Sequence, residues 1–171
     1  MQKDVITMFA NYNKSVNEVM NGFIKTLSAD EWEKPLGGYF TSIHSLCSHI
    51  YICDFNWLKR FNNLRSFKTL GDPFFGGSYS FTETIFGDIG EYLIKRPDLD
   101  SRIISFIEEL TSDDLGTVLK YTDSHGRHLE KKSGVCVFQF LNHEIHHRGM
   151  ISVYLEMLGK ENDFCSFVQY L

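Results

Sequence analysis

The stretch Gly134–Gly159, GVCVFQFLNHEIHHRGMISVYLEMLG, decides the fold. Within it Cys136, Phe140, His143, His147, Met150 or Ile151, Tyr154 and Leu158 recur at steps of three and four, the spacing of one helical face. Gly159 then provides a residue suited to the left-handed turn that closes many helices. A helix predicted over roughly 134–158 with an apolar stripe needs partner helices, and the chain supplies them. Val5, Met8, Phe9, Tyr12, Val16, Val19, Met20, Phe23 and Leu27 predict one long amphipathic helix at the start. Ser28 before Ala29-Asp30-Glu31 predicts a capped short turn. Thr41 is placed to cap a second long helix to about Leu64, with Leu46, His49, Cys53, Trp57 and Arg60 or Phe61 in line.

The middle of the chain is less regular. Gly71-Asp72-Pro73 and Gly76-Gly77 mark Ser66–Ser80 as a loop, long enough for a crossover or a lid over a pocket. The stretch Glu83–Ile94 reads as weakly helical, and Pro97-Asp98-Leu99-Asp100 reads as the opening of a clearer helix carrying Ile103, Ile104, Phe106, Ile107 and Leu110. Two short runs, Thr117–Tyr121 and Arg127–Glu130, flank Asp123-Ser124-His125-Gly126 and predict a hairpin. The expected fold is therefore all-α: a four-helix bundle with a long crossover connection and a small β-hairpin before the last helix, in a single domain over 1–171.

With 17 Lys+Arg against 22 Asp+Glu, the formal net charge is −5. A mildly acidic chain without a basic stripe argues against nucleic-acid binding. The first residues lack a basic region followed by an apolar core, and no apolar run approaches the ~20 residues that span a bilayer, which predicts a cytoplasmic protein with no membrane segment. Cys47, Cys53, Cys136 and Cys165 form no CxxC pair, and reduced thiols are expected.

Chemistry concentrates in the histidines. His143 and His147 stand one helical turn apart in line with Phe140 and Tyr154, and His49 lies in line with Leu46, Cys53 and Trp57. Three imidazoles on core-facing stripes are costly to bury unless they bond something. Separate hydrogen bonds would satisfy each alone; one divalent metal would satisfy all three and keep at least one position open for a small-molecule substrate. Cys53 is either a fourth ligand or a core thiol. His44, His125, His128 and His146 fall on other faces or in the hairpin.

His143-Glu144-Ile145-His146-His147 also spells H-E-x-x-H, in which zinc proteases use Glu as general base. The extended form needs Gly and His where Met150 and Val153 stand, and Glu156 and Glu161 are the only glutamates after His147. No substantial sheet precedes the motif to align a peptide. Glu144 is thus expected on the polar flank of the helix, behind the ligands, or as a base.

The segments Leu46-Cys47-Ser48-His49-Ile50-Tyr51 with Asp54 and Trp57, and Asn142-His143-Glu144-Ile145-His146-His147-Arg148-Gly149, resemble the DinB-like family of metal-binding four-helix bundles. This resemblance implies a zinc or nickel ion on His49, His143 and His147, and frequent homodimers. It also implies kinship with thiol-dependent S-transferases and isomerases that use low-molecular-weight thiols such as bacillithiol or mycothiol, and with metal-dependent hydrolases. Three functions are expected to compete. A metal-dependent S-transferase would activate a bound thiol. A hydrolase would activate water, with Glu144 or Asp54 as base. A non-catalytic metal- or ligand-binding module would have a shell closed by Cys53.

Overall fold

The computed structural model describes residues 2–164 and 166–170. Among them are four long helices, α1 (Lys3–Ile24), α3 (Ile43–Phe61), α4 (Ile89–Glu109) and α6 (Ser133–Met157), and two short ones, α2 (Ala29–Glu33) and α5 (Ser112–Gly116). Strands β1 (Val118–Thr122) and β2 (His128–Lys132) form an antiparallel hairpin just before α6, with Val118 opposite Lys132 and Thr122 opposite His128. This is the expected all-α bundle with its hairpin.

Contacts between helices fix their directions. Along α1 and α6 the partners advance together: Phe9 meets Phe138 at 5.7 Å between ring centres, and Asn17 meets Glu144 at 3.0 Å. Along α3 and α4 they also advance together, Asp54 with Arg96 and Phe61 with Phe106. Between α1 and α4 the order reverses: Asn21 pairs with Tyr92, whereas Lys3 reaches the Glu108 carbonyl. The chain therefore runs up α1, down α3, down again along α4 and up α6. Two consecutive parallel helices require the connection 62–88 to travel back along α3, about 28 Å for 19 residues. It does so on aromatic anchors, Phe67 against Phe106, Phe75 against Phe55 and Phe86 against Tyr51. The expected crossover is present, and two short 3₁₀ turns, Thr69–Gly71 and Pro73–Gly76, interrupt the expected loop.

Several boundaries differ from expectation for local reasons. Ser42, not Thr41, caps α3, its hydroxyl accepting from the Ser45 amide at 3.1 Å, and the helix ends at Phe61. Residues 83–88 are not helical; Asp88 caps α4 by accepting from the Glu91 amide at 2.8 Å. Pro97 does not open that helix but lies inside it. Proline removes one backbone hydrogen bond there, and the turns on both sides are held by buried Tyr92, Arg96, Leu99 and Asp100. On α1, Val5 and Met8 are exposed, at 38% and 37%, while Asn13, Asn17 and Asn21 are buried on the inner face. The predicted Ser28 turn is α2, closed by a reciprocal Ser28–Glu31 capping box. Gly159, at φ +74°, ends α6 in the left-handed conformation as expected.

Cys47, Cys53 and Cys136 are free and buried; Cys165 lies outside the described residues. No helix of the described residues is long and apolar enough to cross a membrane.

Candidate metal centre

His49 on α3 and His143 and His147 on α6 face one another across the antiparallel helix pair. The Nε2 atom of His143 lies 3.3 Å from Nε2 of His49 and 3.0 Å from Nε2 of His147. His49 and His143 are half-buried, and His147 is 6% exposed. Cys53, one turn after His49, brings Sγ to 3.6 Å from His49 Nε2. The ligand atoms of His49, Cys53 and His143 fall within 4.8 Å of one another, a group able to hold a metal ion. His147 joins them through His143.

A ring nitrogen carries either one hydrogen or one in-plane lone pair, so Nε2 of His143 can direct one good hydrogen bond, not two. Its contacts to both other imidazoles are not satisfied by hydrogen bonding alone. Nitrogens each about 2.1 Å from one shared ion stand about 3.0–3.4 Å apart, depending on coordination angle. The donor set thus fits a divalent ion. Burial first, and then the neighbouring imidazoles, push all three histidines down, to about 4 for His49 and His143 and about 3 for His147. They are neutral at pH 7, the form that offers a lone pair. Burial, and then the Asp54 charge, push the Cys53 thiol up to about 12, which keeps it a neutral thiol in the metal-free chain.

Phe40 covers the cluster, its ring 4.2 Å from that of His49 and 5.4 Å, edge to face, from that of His147. The loop before α3 holds it there. The Tyr154 hydroxyl lies within hydrogen-bond reach of the carbonyls of both Gly37 and Phe40, which share its one proton. Gly38 sits at φ +77°, where a Cβ would lie 2.6 Å from the Tyr154 hydroxyl, so glycine is required on both counts. A cleft of about 450 Å³ opens beside the histidines, walled by Cys53, Trp57, Arg60, Phe81 and Tyr121 as well as His49 and His143.

Below the histidines lies a second polar group drawn from all four long helices. Arg96 Nη1 lies 2.5 Å from Asp54 Oδ2, its Nε donates to Asp100 Oδ1 at 3.0 Å, and Nη2 approaches Glu144 Oε2 to 3.8 Å. Arg148 pairs with the same Glu144 oxygen at 3.2 Å, and Asn17 donates to both Asp100 and Glu144. Glu144 is 1% exposed, not on a polar flank as its sequence position suggested, and its partners all belong to this network rather than to the histidines. Burial, and then the neighbouring Glu144, hold Asp54 well above the ordinary carboxylate range; burial also raises Glu144.

Among the other histidines, His146 is exposed and packs edge-on against His147, and His125 and His128 are exposed on the hairpin. His44 is buried, contrary to its expected unremarkable place, stacked on Trp32 at 5.0 Å with Nδ1 2.5 Å from Glu33. Sequence reasoning did not single out Arg96, Asp100 or Phe40, nor the Asn13, Asn17 and Asn21 stripe. The asparagine spacing of four, on the inner face of a long helix, was the available signal.

A helical bundle with up-down-down-up helices, a hairpin before the last and an imidazole cluster between the second and fourth long helices defines a recognisable class. The chain belongs to the DinB family, whose profile matches residues 1–171. It is similar to "Protein DinB" of Bacillus subtilis (strain 168), at 24% identity over 148 residues, covering 86% of this chain and 83% of that protein.

Proposed function

We propose that residues 1–171 act as one bundle domain and catalyse metal-dependent S-transfer, joining a low-molecular-weight thiol to a small electrophile. His49, His143 and His147 would hold the divalent ion, zinc or nickel, with Cys53 beside it. The observation that carries this reading is the convergence of three neutral imidazole Nε2 atoms at 3.0 and 3.3 Å at the side of an open cleft. A bound divalent cation acidifies a coordinated thiol, so that thiolate is present near neutral pH.

The chain's own residues do the rest. Phe40 packs against His49 and His147 and covers them on one side, and the cleft beside the cluster accommodates a small electrophile. Sulfur forms its new bond to the electrophilic carbon as the leaving group departs, and the thiol proton passes to solvent. Hydrolysis has less support, because it calls for a base poised beside a water. Glu144 and Asp54 are buried, with one oxygen of each bonded into the ion network, and Asp123, the only carboxylate in the described cleft wall, is held by Arg127 at 2.6 Å. A thiol needs no such base once its proton is acidified.

The test is conjugation of monochlorobimane by metal-loaded protein with bacillithiol, coenzyme A and cysteine in turn. Metal-dependent turnover that disappears in His147→Ala is expected. Absence of turnover with every thiol, in protein shown to carry metal, would count against the transferase reading, and ester or amide cleavage without thiol would replace it with hydrolysis.

A further inference from the structure

Arg60 carries a chemical demand that the bundle does not meet. It lies on α3, two turns beyond Cys53 on the same side, and half-buried in the cleft wall. Its guanidinium is boxed by aromatic faces, with Trp57 at 4.8 Å, Tyr121 at 5.5 Å and Phe81 at 5.6 Å from the ring centres. Cation–π contacts of this kind engage the positive charge, but the five N–H donors still need acceptors. Among the described residues none accepts from them. Every other arginine whose side chain is buried or packed in the fold has a carboxylate partner: Arg65 has Asp114, Arg96 has Asp54 and Asp100, Arg102 has Asp72 and Asp98, and Arg148 has Glu144. Asp123 in the same wall is committed to Arg127 and to the amides of His125 and Arg127.

We infer that Arg60 is the anchor for a carboxylate on the small molecule whose reacting end lies at the histidines. A fork of donors held among three aromatic rings is pre-organised for a bidentate carboxylate, and less side-chain freedom remains to be lost on binding. Seven residues of helix separate Cys53 from Arg60, about 10 Å along α3. The ligand is therefore elongated, with a sulfur or electrophilic centre at one end and an anion about 8–10 Å away at the other. This assignment deepens the transferase reading and rests on it for the identity of the reacting end, but the anion preference belongs to Arg60 alone.

Hexanoate and 1-hexanol, titrated into metal-free protein and followed on the Trp57 indole resonance, isolate the anchor. 6-Mercaptohexanoate and 6-mercaptohexanol, titrated into zinc-loaded protein, test both ends together. The carboxylate is expected to bind about tenfold or more tightly than the alcohol in both settings. That preference is expected to vanish in Arg60→Gln and to survive in reduced form in Arg60→Lys. An Arg60→Gln protein of native circular dichroism that keeps the full preference overturns the anchor, as does a native protein with no preference. If the preference depends on Arg60 but the thiol adds no affinity on zinc loading, the anchor stands and the thiol reading falls.

Discussion

Two polar groups sit one residue apart in the chain, His143 beside Glu144 and Cys53 beside Asp54, and they solve burial in opposite ways. In the inner group, acids and guanidiniums close on each other: Asp54, Asp100 and Glu144 surround Arg96, and Glu144 is shared with Arg148. In the outer group, neutral bases converge through Nε2, with Cys53 Sγ beside them. The first pairs its charges inside the fold, although Asp54 Oδ1 and Glu144 Oε1 are left without a hydrogen-bond partner among the described residues. The second gains its missing partner only from outside. Adjacent positions on a helix point about 100° apart, so a single residue step suffices to divide a structural lattice from a candidate site.

The sharpest way to break this contrast is to open the inner group. Arg96→Met removes the cation common to three buried carboxylates, and loss of one partner of a buried ion pair costs about 3–5 kcal/mol. Urea denaturation of the metal-free protein is expected to show a loss of that size, or no folded protein at all. The Asp54→Asn, Arg96→Met double variant should recover part of it, because one stranded charge is gone. A loss near that of an ordinary surface change would mean that the lattice does not hold the four helices together.

The outer group should respond to metal where the inner one does not. Zinc at a hundredfold excess over its dissociation constant stabilises a native site by about 2.7 kcal/mol, about 5–10 °C in melting temperature for a chain of this size. His49→Ala and His147→Ala are expected to abolish both that shift and stoichiometric zinc by elemental analysis. His44→Ala should keep the zinc, since His44 serves Glu33 and Trp32. Equal metal content in all three variants would remove the ligand assignment.

The contrast itself was only half readable from sequence. Residues four apart on one predicted helix share a face, and this local rule was enough to bring His143 and His147 together and to align His49 with Cys53. The nearest cation to Glu144, Arg148 at 3.2 Å, follows the same four-residue rule, whereas Arg96, at 3.8 Å, lies on a helix whose start the sequence misplaces because Pro97 looks like a first-turn residue. A carboxylate beside a metal motif invites a catalytic reading, and its burial among Arg148, Asn17 and the distant Arg96 turns it into a structural group. The four-helix fold was legible because its apolar stripes are long. Asn13, Asn17 and Asn21 weaken the stripe of α1 at the very positions where it meets the lattice, so its inner face was drawn partly on Val5 and Met8 instead.

Asn17 measures how far the inner group depends on neutral members. It donates to Asp100 at 2.9 Å and Glu144 at 3.0 Å and accepts from Arg148 at 3.2 Å, all within the buried interior. Asn17→Ala removes one bond each from Asp100, Glu144 and Arg148, whose atoms keep their charged partners. A loss of about 1–3 kcal/mol is expected by urea denaturation, smaller than for Arg96→Met and with zinc binding retained. Loss of zinc in a folded Asn17→Ala protein would show that the two groups are coupled rather than merely adjacent.

The smallest effect comes from the same chemistry moved toward water. Arg65 pairs with Asp114 at 2.9 Å near the hairpin end, but the arginine side chain is 40% exposed against 1% for Arg96. Hydrogen bonding from Arg65 holds the Asp114 carboxyl down to about 2, below its ordinary 3.8. A lowered folded-state value means that the unfolded chain binds the proton more readily, so this pair's contribution is complete above about pH 4 and is lost as pH falls toward 2. Solvent screening limits that contribution to about 1 kcal/mol or less. Asp114→Asn, which keeps an oxygen for the Thr111 cap, is expected to lose that amount at pH 7 and less at pH 3, read as the difference in urea midpoints. Were the difference to equal that of Arg96→Met, burial would not be what separates the lattice from an ordinary ion pair. A difference that grows on acidification would reverse the sign assigned to Asp114.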